Sequence, residues 1–387
     1  MTRRHQQNTR RHLAARKRAH GLSLLEIVIA LGLGLVLLAG ATNLFLGSSQ
    51  TFRTNESLSR MQEDTRFAMN RLGREGRMAG YRGCIPGERI LNSLDQSDEA
   101  YSEALYDGGR LMGWATNSMD DDTLTLGDLS HGSSGDWFTG TGTDDGILTQ
   151  LVGQGVVGSS DILVLNRAAA EDGVTSAAPD SGNENTLHLD GDVNVPLGQI
   201  VLMVGSDCSQ GELFQQTNNS GGKTLTKGIG ASVNPGNASN DPFSFTVDDN
   251  TRFYSQRSTA YFVRLNDDGV PGLFEQRVEG EGGSAQELIR GVESLLVRYG
   301  LAESADATVA TAYVPANEVD DWDRVVSIRV ALLIRSSELL SNPLNTQTYN
   351  LMGVHVRPNE DSASGPGGDH RIRMVATRTI GLRNRLQ

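Results

Sequence analysis

The sequence predicts an α+β chain: a long N-terminal α-helix packed on an antiparallel β-sheet head with large loop insertions. Three observations predict it. Residues 22–46 form an apolar run whose only charge is Glu26. Apolar residues then recur at spacings of three and four as far as residue 80, and no proline interrupts them before Pro86. Beyond Pro86 the chain becomes short apolar runs separated by Gly, Asp, Ser and Asn. A period near 3.6 buries one face of a helix, whereas short runs bounded by turn residues suit strands.

The first element, residues 1–21, carries Arg3, Arg4, Arg10, Arg11, Arg16, Lys17 and Arg18 and no acid, so it reads as a basic leader. Without it the chain keeps 27 basic residues against 47 acidic ones. A body that acidic repels nucleic acid, which makes the basic end a targeting element rather than a DNA-binding arm. The second element, residues 22–46, crosses a hydrocarbon core of about 30 Å at about 1.5 Å per residue. With the Lys/Arg excess on its N-terminal side, the positive-inside rule leaves the N-terminus in the cytoplasm and sends the body across. Other readings fit less well. A secretory signal peptide ends at a small-residue site after a shorter apolar core, and neither Arg3-Arg4 nor Arg10-Arg11 has the flanks of a twin-arginine signal. A plain anchor leaves Glu26 without a purpose, although a carboxylate inside a bilayer is costly. Gly32, Gly34, Gly40 and Gly47 each weaken a helix by roughly 1 kcal/mol relative to alanine in water. Close helix contact, local melting and simple tolerance of glycine in a membrane all remain open for them.

Residues 47–80 continue the helix in amphipathic form. Leu58, Met61, Thr65, Ala68, Leu72, Gly76 and Ala79 share one face, while Arg60, Glu63, Arg66, Arg74 and Arg77 lie elsewhere. Residues 81–387 form the head. Its strand candidates are 161–166, 199–204, 252–265, 272–278, 292–299 and 325–334, and residues 266–272 (NDDGVPG) read as the turn of a hairpin. The polar segments 115–146, 170–194, 215–250 and 355–370 read as loops or insertions. With 45 glycines and 5% aromatic residues, the head has a modest core and many turns. An exported body meets an oxidising compartment, which favours a Cys84–Cys208 disulfide over two separate buried thiols.

Signatures of chemistry are missing. The sequence contains no GxSxG, HExxH, CxxC or GxxxxGK[ST], and three of its seven histidines fall in the leader. Residues 153–158 (GQGVVG) match GxGxxG by letters, but a strand follows them where a dinucleotide site needs a helix. The acidic clusters at 120–122, 144–145, 248–249 and 266–268 lack the spacing of a calcium loop and read as solvated turns. No catalytic residue, metal ligand or cofactor is expected, and the chain is expected not to be an enzyme.

The run Gly21-Leu22-Ser23-Leu24-Leu25-Glu26 resembles the class III signal of type IV prepilins. The resemblance implies that a prepilin peptidase cuts after Gly21 and methylates the new N-terminus at Leu22, where phenylalanine is usual. It makes Glu26 the fifth mature residue, positioned to neutralise a neighbouring subunit's terminal amine and so set register during assembly. Four later stretches resemble the PilW minor pilins: residues 77–84 (RMAGYRGC), Glu287 to Gly300, Trp322 with 325–335, and 379–385. Taken by themselves, Gly291-Val292-Glu293 reads as a turn and packing element, Trp322 as a core or edge anchor, and Arg383 to Arg385 as a solvated end. The family implies a type IV pilin-like fold and a minor pilin that primes pilus assembly in a membrane-embedded complex, near the pilus tip. Its expected partners are other minor pilins, the major pilin, the prepilin peptidase and the inner-membrane assembly platform. The head would be periplasmic first and pilus-borne later. A large minor pseudopilin of type II secretion and a tip-located adhesin are the alternatives.

Overall fold

The computed structural model describes residues 23–384 except 87–88, 121, 127–128, 139, 171–176, 181–182, 190–194, 219–222, 231, 249, 281, 341–343 and 359–368. Gly21, Leu22 and Arg385 lie outside the described residues. The chain divides into two units, residues 1–55 and 56–387.

Helix α1 (Leu24–Met78) supplies the whole described structure of the first unit and enters the second. Within the second unit its buried apolar side chains are Met61, Ala68 and Leu72, which lie on the face that the spacing predicted, and Met69, which the spacing did not place there. Gly73 and Gly76 add something the pattern only partly showed. A Cβ on Gly73 would lie 2.8 Å from the Arg378 guanidinium, and one on Gly76 would lie 2.9 Å from Ile380 Cγ2. The two glycines therefore let the helix backbone settle directly onto the strand that carries Arg378 and Ile380. Polar bonds fix the register. Arg71 donates twice to Glu275 at 3.1 Å, and Arg167 donates to the buried Glu75 at 2.6 Å. Gly80, at φ +78°, follows the helix in the left-handed region that ends helices, and Asn384 donates to the Arg77 carbonyl at 3.1 Å.

The head's strands, in order, are β1 (Ile90–Asn92), β2 (Leu111–Trp114), β3 (Met119–Asp120), β4 (Thr123–Thr125), β5 (Ile162–Ala170), β6 (Ala177–Asp180), β7 (Asn183–Leu189), β8 (Ile200–Val204), β9 (Gly211–Gln215) and β10 (Thr224–Thr226). After them come β11 (Arg252–Leu265), β12 (Pro271–Arg277), β13 (Gln286–Arg290), β14 (Val292–Leu301), β15 (Ala312–Val314), β16 (Val325–Arg335), β17 (Tyr349–Leu351), β18 (Val354–Arg357) and β19 (Arg373–Gly381). Two short helices, α2 (Glu103–Tyr106) and α3 (Asp145–Gly153), lie among them.

The largest sheet has eight strands, ordered β1-β9-β8-β11-β12-β13, with β5 also on β11 and β2 on β5. β11 is its spine. One of its edges takes β5, and the other takes β8 at Arg252 to Ser255 and then β12 from Thr259 onward. A second sheet runs β15-β14-β16-β19 and is antiparallel throughout. Leu163, Tyr261, Val263 and Leu273 from the first sheet join Val297, Ile328, Val330 and Ile380 from the second in one core with Ala68 and Leu72 of α1. Two smaller sheets complete the head, β10-β7-β6 and β17-β18-β4-β3. The architecture is α+β with mixed sheets, because β1 pairs with β9 and β18 with β4 in parallel.

The expected loops need correcting. Residues 115–146 hold β3 and β4, 170–194 hold β6 and β7, 215–250 hold β10, and 355–370 overlap β18. Among these strands β3, β4 and β10 have two or three residues each, too few for a period to register; β4 pairs with the distant β18 and β10 with β7, while β3 pairs only with the adjacent β4. The hairpin forms as expected: Leu265 pairs with Pro271, and Gly269 at φ +71° closes the turn.

Gly113 in β2 tests the packing directly. A methyl group there would collide with the buried Tyr299 hydroxyl and lie 2.6 Å from the Ile162 carbonyl oxygen. Overpacking of this kind costs about 1–3 kcal/mol. Gly113→Ala is therefore expected to lower the denaturant midpoint clearly, whereas Gly76→Ala regains about 1 kcal/mol of helix propensity and should change it less.

Candidate functional site

Two regions could carry function: the first unit's helix and a cleft in the head. On the helix, every residue from 24 to 46 is exposed. Large apolar side chains range from 45% exposed at Ile27 to 81% at Leu24, with no cover from the described residues of this unit. By length and composition this helix can cross a membrane. Glu26 lies in its first turn, where the free main-chain N–H groups favour a negative charge. Among the described residues no hydrogen bond or ion pair reaches Glu26. A Cβ added at Gly32, Gly34, Gly40 or Gly47 would meet nothing within 4 Å, so no described residue requires glycine there.

The head's cleft has a volume of about 790 Å3 and is lined by Glu103, Asp107, Asp144, Asp145, Asp320, Asp321 and Asp323 around Trp322. Most of these carboxylates serve local structure. Asp144 caps α3 by accepting from Gly146 and Ile147. Asp321 accepts from the Asp323 N–H, and Asp323 takes the Arg110 guanidinium at 2.6 Å. Asp320 pairs with Arg324 at 2.8 Å, and Asp107 accepts from Asn92 at 2.6 Å. Trp322 is the anchor its sequence context suggested, since it donates to the Thr141 carbonyl at 2.6 Å and meets the Tyr299 ring edge-on at 4.9 Å. Among the described residues, no group of three or more His, Cys, Asp or Glu is arranged to hold a metal ion.

Of the two states left open for the cysteines, the structure shows the bonded one. Cys84 and Cys208 form a disulfide with their Cα atoms 5.6 Å apart. It ties the segment leaving α1 to the turn between β8 and β9.

Gly291-Val292-Glu293 does more than turn and pack. Gly291, at φ +83°, starts β14, and Val292 then pairs with Ile334 while Ser294 pairs with Leu333. Glu293 is thus the extra residue of a β-bulge, which re-aims its side chain. The carboxylate reaches Arg373 of β19 at 2.6 and 2.9 Å and Arg335 of β16 at 3.2 Å, with Glu293 and Arg373 almost fully buried. Sequence reading missed this cluster, and the one available signal was an acid beside a strand-initiating glycine.

Residues 260–384 match the family model described as type IV pilus-assembly protein W, PilW. The match supports a type IV pilus-associated protein. It covers about a third of the chain, from the second half of β11 through β19, and so includes the Glu293 bulge and the strand that receives α1. No curated protein and no solved structure matches the chain. The PilW match links the chain to pilus assembly and its machinery in general, and the exposed apolar helix is compatible with a single-pass membrane anchor.

Proposed function

We propose that this chain is a minor pilin that primes type IV pilus assembly within a membrane-embedded minor-pilin complex, near the pilus tip, and has no enzymatic activity of its own. One observation carries the reading: an exposed apolar helix presents in its first turn a Glu26 that has no partner among the described residues, on a chain whose C-terminal third matches PilW. Cleavage after Gly21 would free an amine at Leu22, and in a staggered bundle the Glu26 of one subunit would pair with the amine of the next. Each charge then relieves the desolvation cost of the other. The partners are accordingly the other minor pilins, the major pilin, the prepilin peptidase and the assembly platform of the inner membrane. The PilW match favours the pilus over type II secretion.

Gly21→Ala and Glu26→Ala variants test this in the native host. Gly21→Ala should keep the leader, seen as a higher mass, and lose surface pili. Glu26→Ala should be cut normally yet fail to restore piliation to a strain lacking the protein. Unchanged mass and normal piliation in both variants would refute the reading.

A further inference from the structure

The second sheet ends in an open edge. β19 pairs with β16 from Arg373 to Gly381 without a bulge, and no described strand lies on its other side. The bonds that flank this ladder set its phase: the Ser336 N–H donates to the Ile372 carbonyl at 2.8 Å, and the Leu382 N–H donates to the Val326 carbonyl at 2.9 Å. Bonded positions alternate along an antiparallel strand, so the even-numbered residues of β19 face β16. Val375, Thr377, Thr379 and Gly381 therefore turn their N–H and C=O groups outward, where no hydrogen bond among the described residues reaches them. Thr377, Thr379 and Gly381 are exposed. The other described edge strands have five residues or fewer, against nine in β19. An open edge of this length is a template for pairing with another chain.

A row of arginines runs beside the edge. Residues 66, 70, 73 and 77 stack along one side of α1 at spacings of three and four. That side meets β19, because Arg378 donates to the Met69 carbonyl and to Asn70 Oδ1, each at 2.9 Å. The Asn384 bond to the Arg77 carbonyl brings Arg383 to the end of the same row. Among the described residues, no ion pair engages Arg66, Arg77, Arg378 or Arg383. Acids are scarce around them. Along α1 the exposed acids end at Asp64, and Glu75 is buried against Arg71 and Arg167. Residues 370–384 hold four arginines and no acid, on a chain whose formal net charge is -13.

We propose that the β19 edge docks an extended segment of a neighbouring subunit, which adds a strand beside Val375 to Gly381 and carries carboxylates at alternate positions. Main-chain bonds along the edge supply affinity, and the arginine row selects an acidic strand and fixes its register. Side chains of an added strand alternate between the two faces of the sheet. Every second one comes beside Arg378 and the arginines of α1, where a carboxylate is favoured. The others lie beside Thr377 and Thr379 and suit β-branched residues. A second copy of this chain fits worse, since a two-fold contact through one shared edge sets the arginine row against itself. The proposal rests on the minor-pilin reading only in naming the neighbour as a pilus subunit.

Photocrosslinking of the full chain in the native host tests this, with a benzophenone-bearing amino acid in place of Thr379. That side chain stands off the sheet, so the probe leaves the edge open. Irradiation should give an adduct whose crosslinked peptide, identified by mass spectrometry, is an extended segment of another pilus subunit with acids at alternate positions. Combining Arg66→Glu with Arg77→Glu should lower the adduct yield about tenfold, because like charges then face each other. Should that variant fail to fold, Thr377→Pro serves instead: it removes one outward N–H and no bond to β16, and should also lower the yield. No adduct, an adduct to lipid or to a second copy, a crosslinked peptide without acids, or a yield unmoved by either variant would overturn the proposal. An acidic strand from a protein outside the pilus would uphold the docking surface and overturn the minor-pilin reading.

Discussion

Cys84→Ser should make the head easier to unfold by about 5 kcal/mol, because the bond it removes spans 124 residues of sequence and chain-entropy loss in the unfolded state grows with the logarithm of that length. The protein with its disulfide intact, the same protein under reducing agent, and the variant can be compared by denaturant titration. Reduced protein and variant should coincide, and Cys208→Ser should add nothing to Cys84→Ser. A difference below about 1 kcal/mol between oxidised protein and variant would show that the bridge leaves the unfolded ensemble almost unrestricted.

Glu293→Ala should cost about 3–5 kcal/mol, the range for stripping one partner from a buried ion pair. The Arg373 side chain is 1% exposed, so the charge left behind cannot be rehydrated without opening the sheet. Asp369, at 2.7 Å from Arg373, compensates for only part of the loss. The Arg60–Glu56 pair makes a useful contrast. Its side chains are 71% and 47% exposed, and Glu56→Ala should cost no more than about 0.5 kcal/mol. Replacing Glu293 and Arg373 together with methionine should recover part of the single-variant loss, since the buried pair itself then strands no charge, while Arg335 and Asp369 at its margin each lose a partner. If Glu293→Ala and Glu56→Ala unfold at the same denaturant concentration, the bulge plays no stabilising part.

Much of this architecture is readable from residue order, for reasons that differ between elements. The helix expected over 22–80 is α1 (Leu24–Met78), because neither its apolar run nor its amphipathic stretch contains a proline and its glycines are too scattered to end it. β5, β8, β11, β12, β14 and β16 each appear within a few residues of an expected strand, as five or more largely apolar residues between turn formers. β9 escapes because it buries Glu212 and Gln215, which look like surface residues. Glu212 is held by Lys227 at 2.5 Å, and Gln215 donates to the Gly198 carbonyl at 2.7 Å. β19 escapes because it is an edge strand of mixed burial whose Arg378 bends onto the helix, donating to the Met69 carbonyl. Of the candidate site, Glu26 stands out in the sequence as a lone acid in an apolar run, and its part in assembly is the proposal made above. The Glu293 cluster is not, since its partner lies 80 residues away and only the bulge brings them together.

The position of the disulfide also bears on how the head would respond to tension. A pull delivered through α1 would first strip contacts in sequence, Arg71 from Glu275 and Glu75 from Arg167, each yielding at small force as in a zipper. At Cys84, six residues beyond the helix, the load passes through a covalent bond into the β8–β9 turn. From there it spreads across strands that resist together. Extension of an oxidised head would leave residues 85–207 out of the stretched path, whereas in a reduced one they would unravel as well.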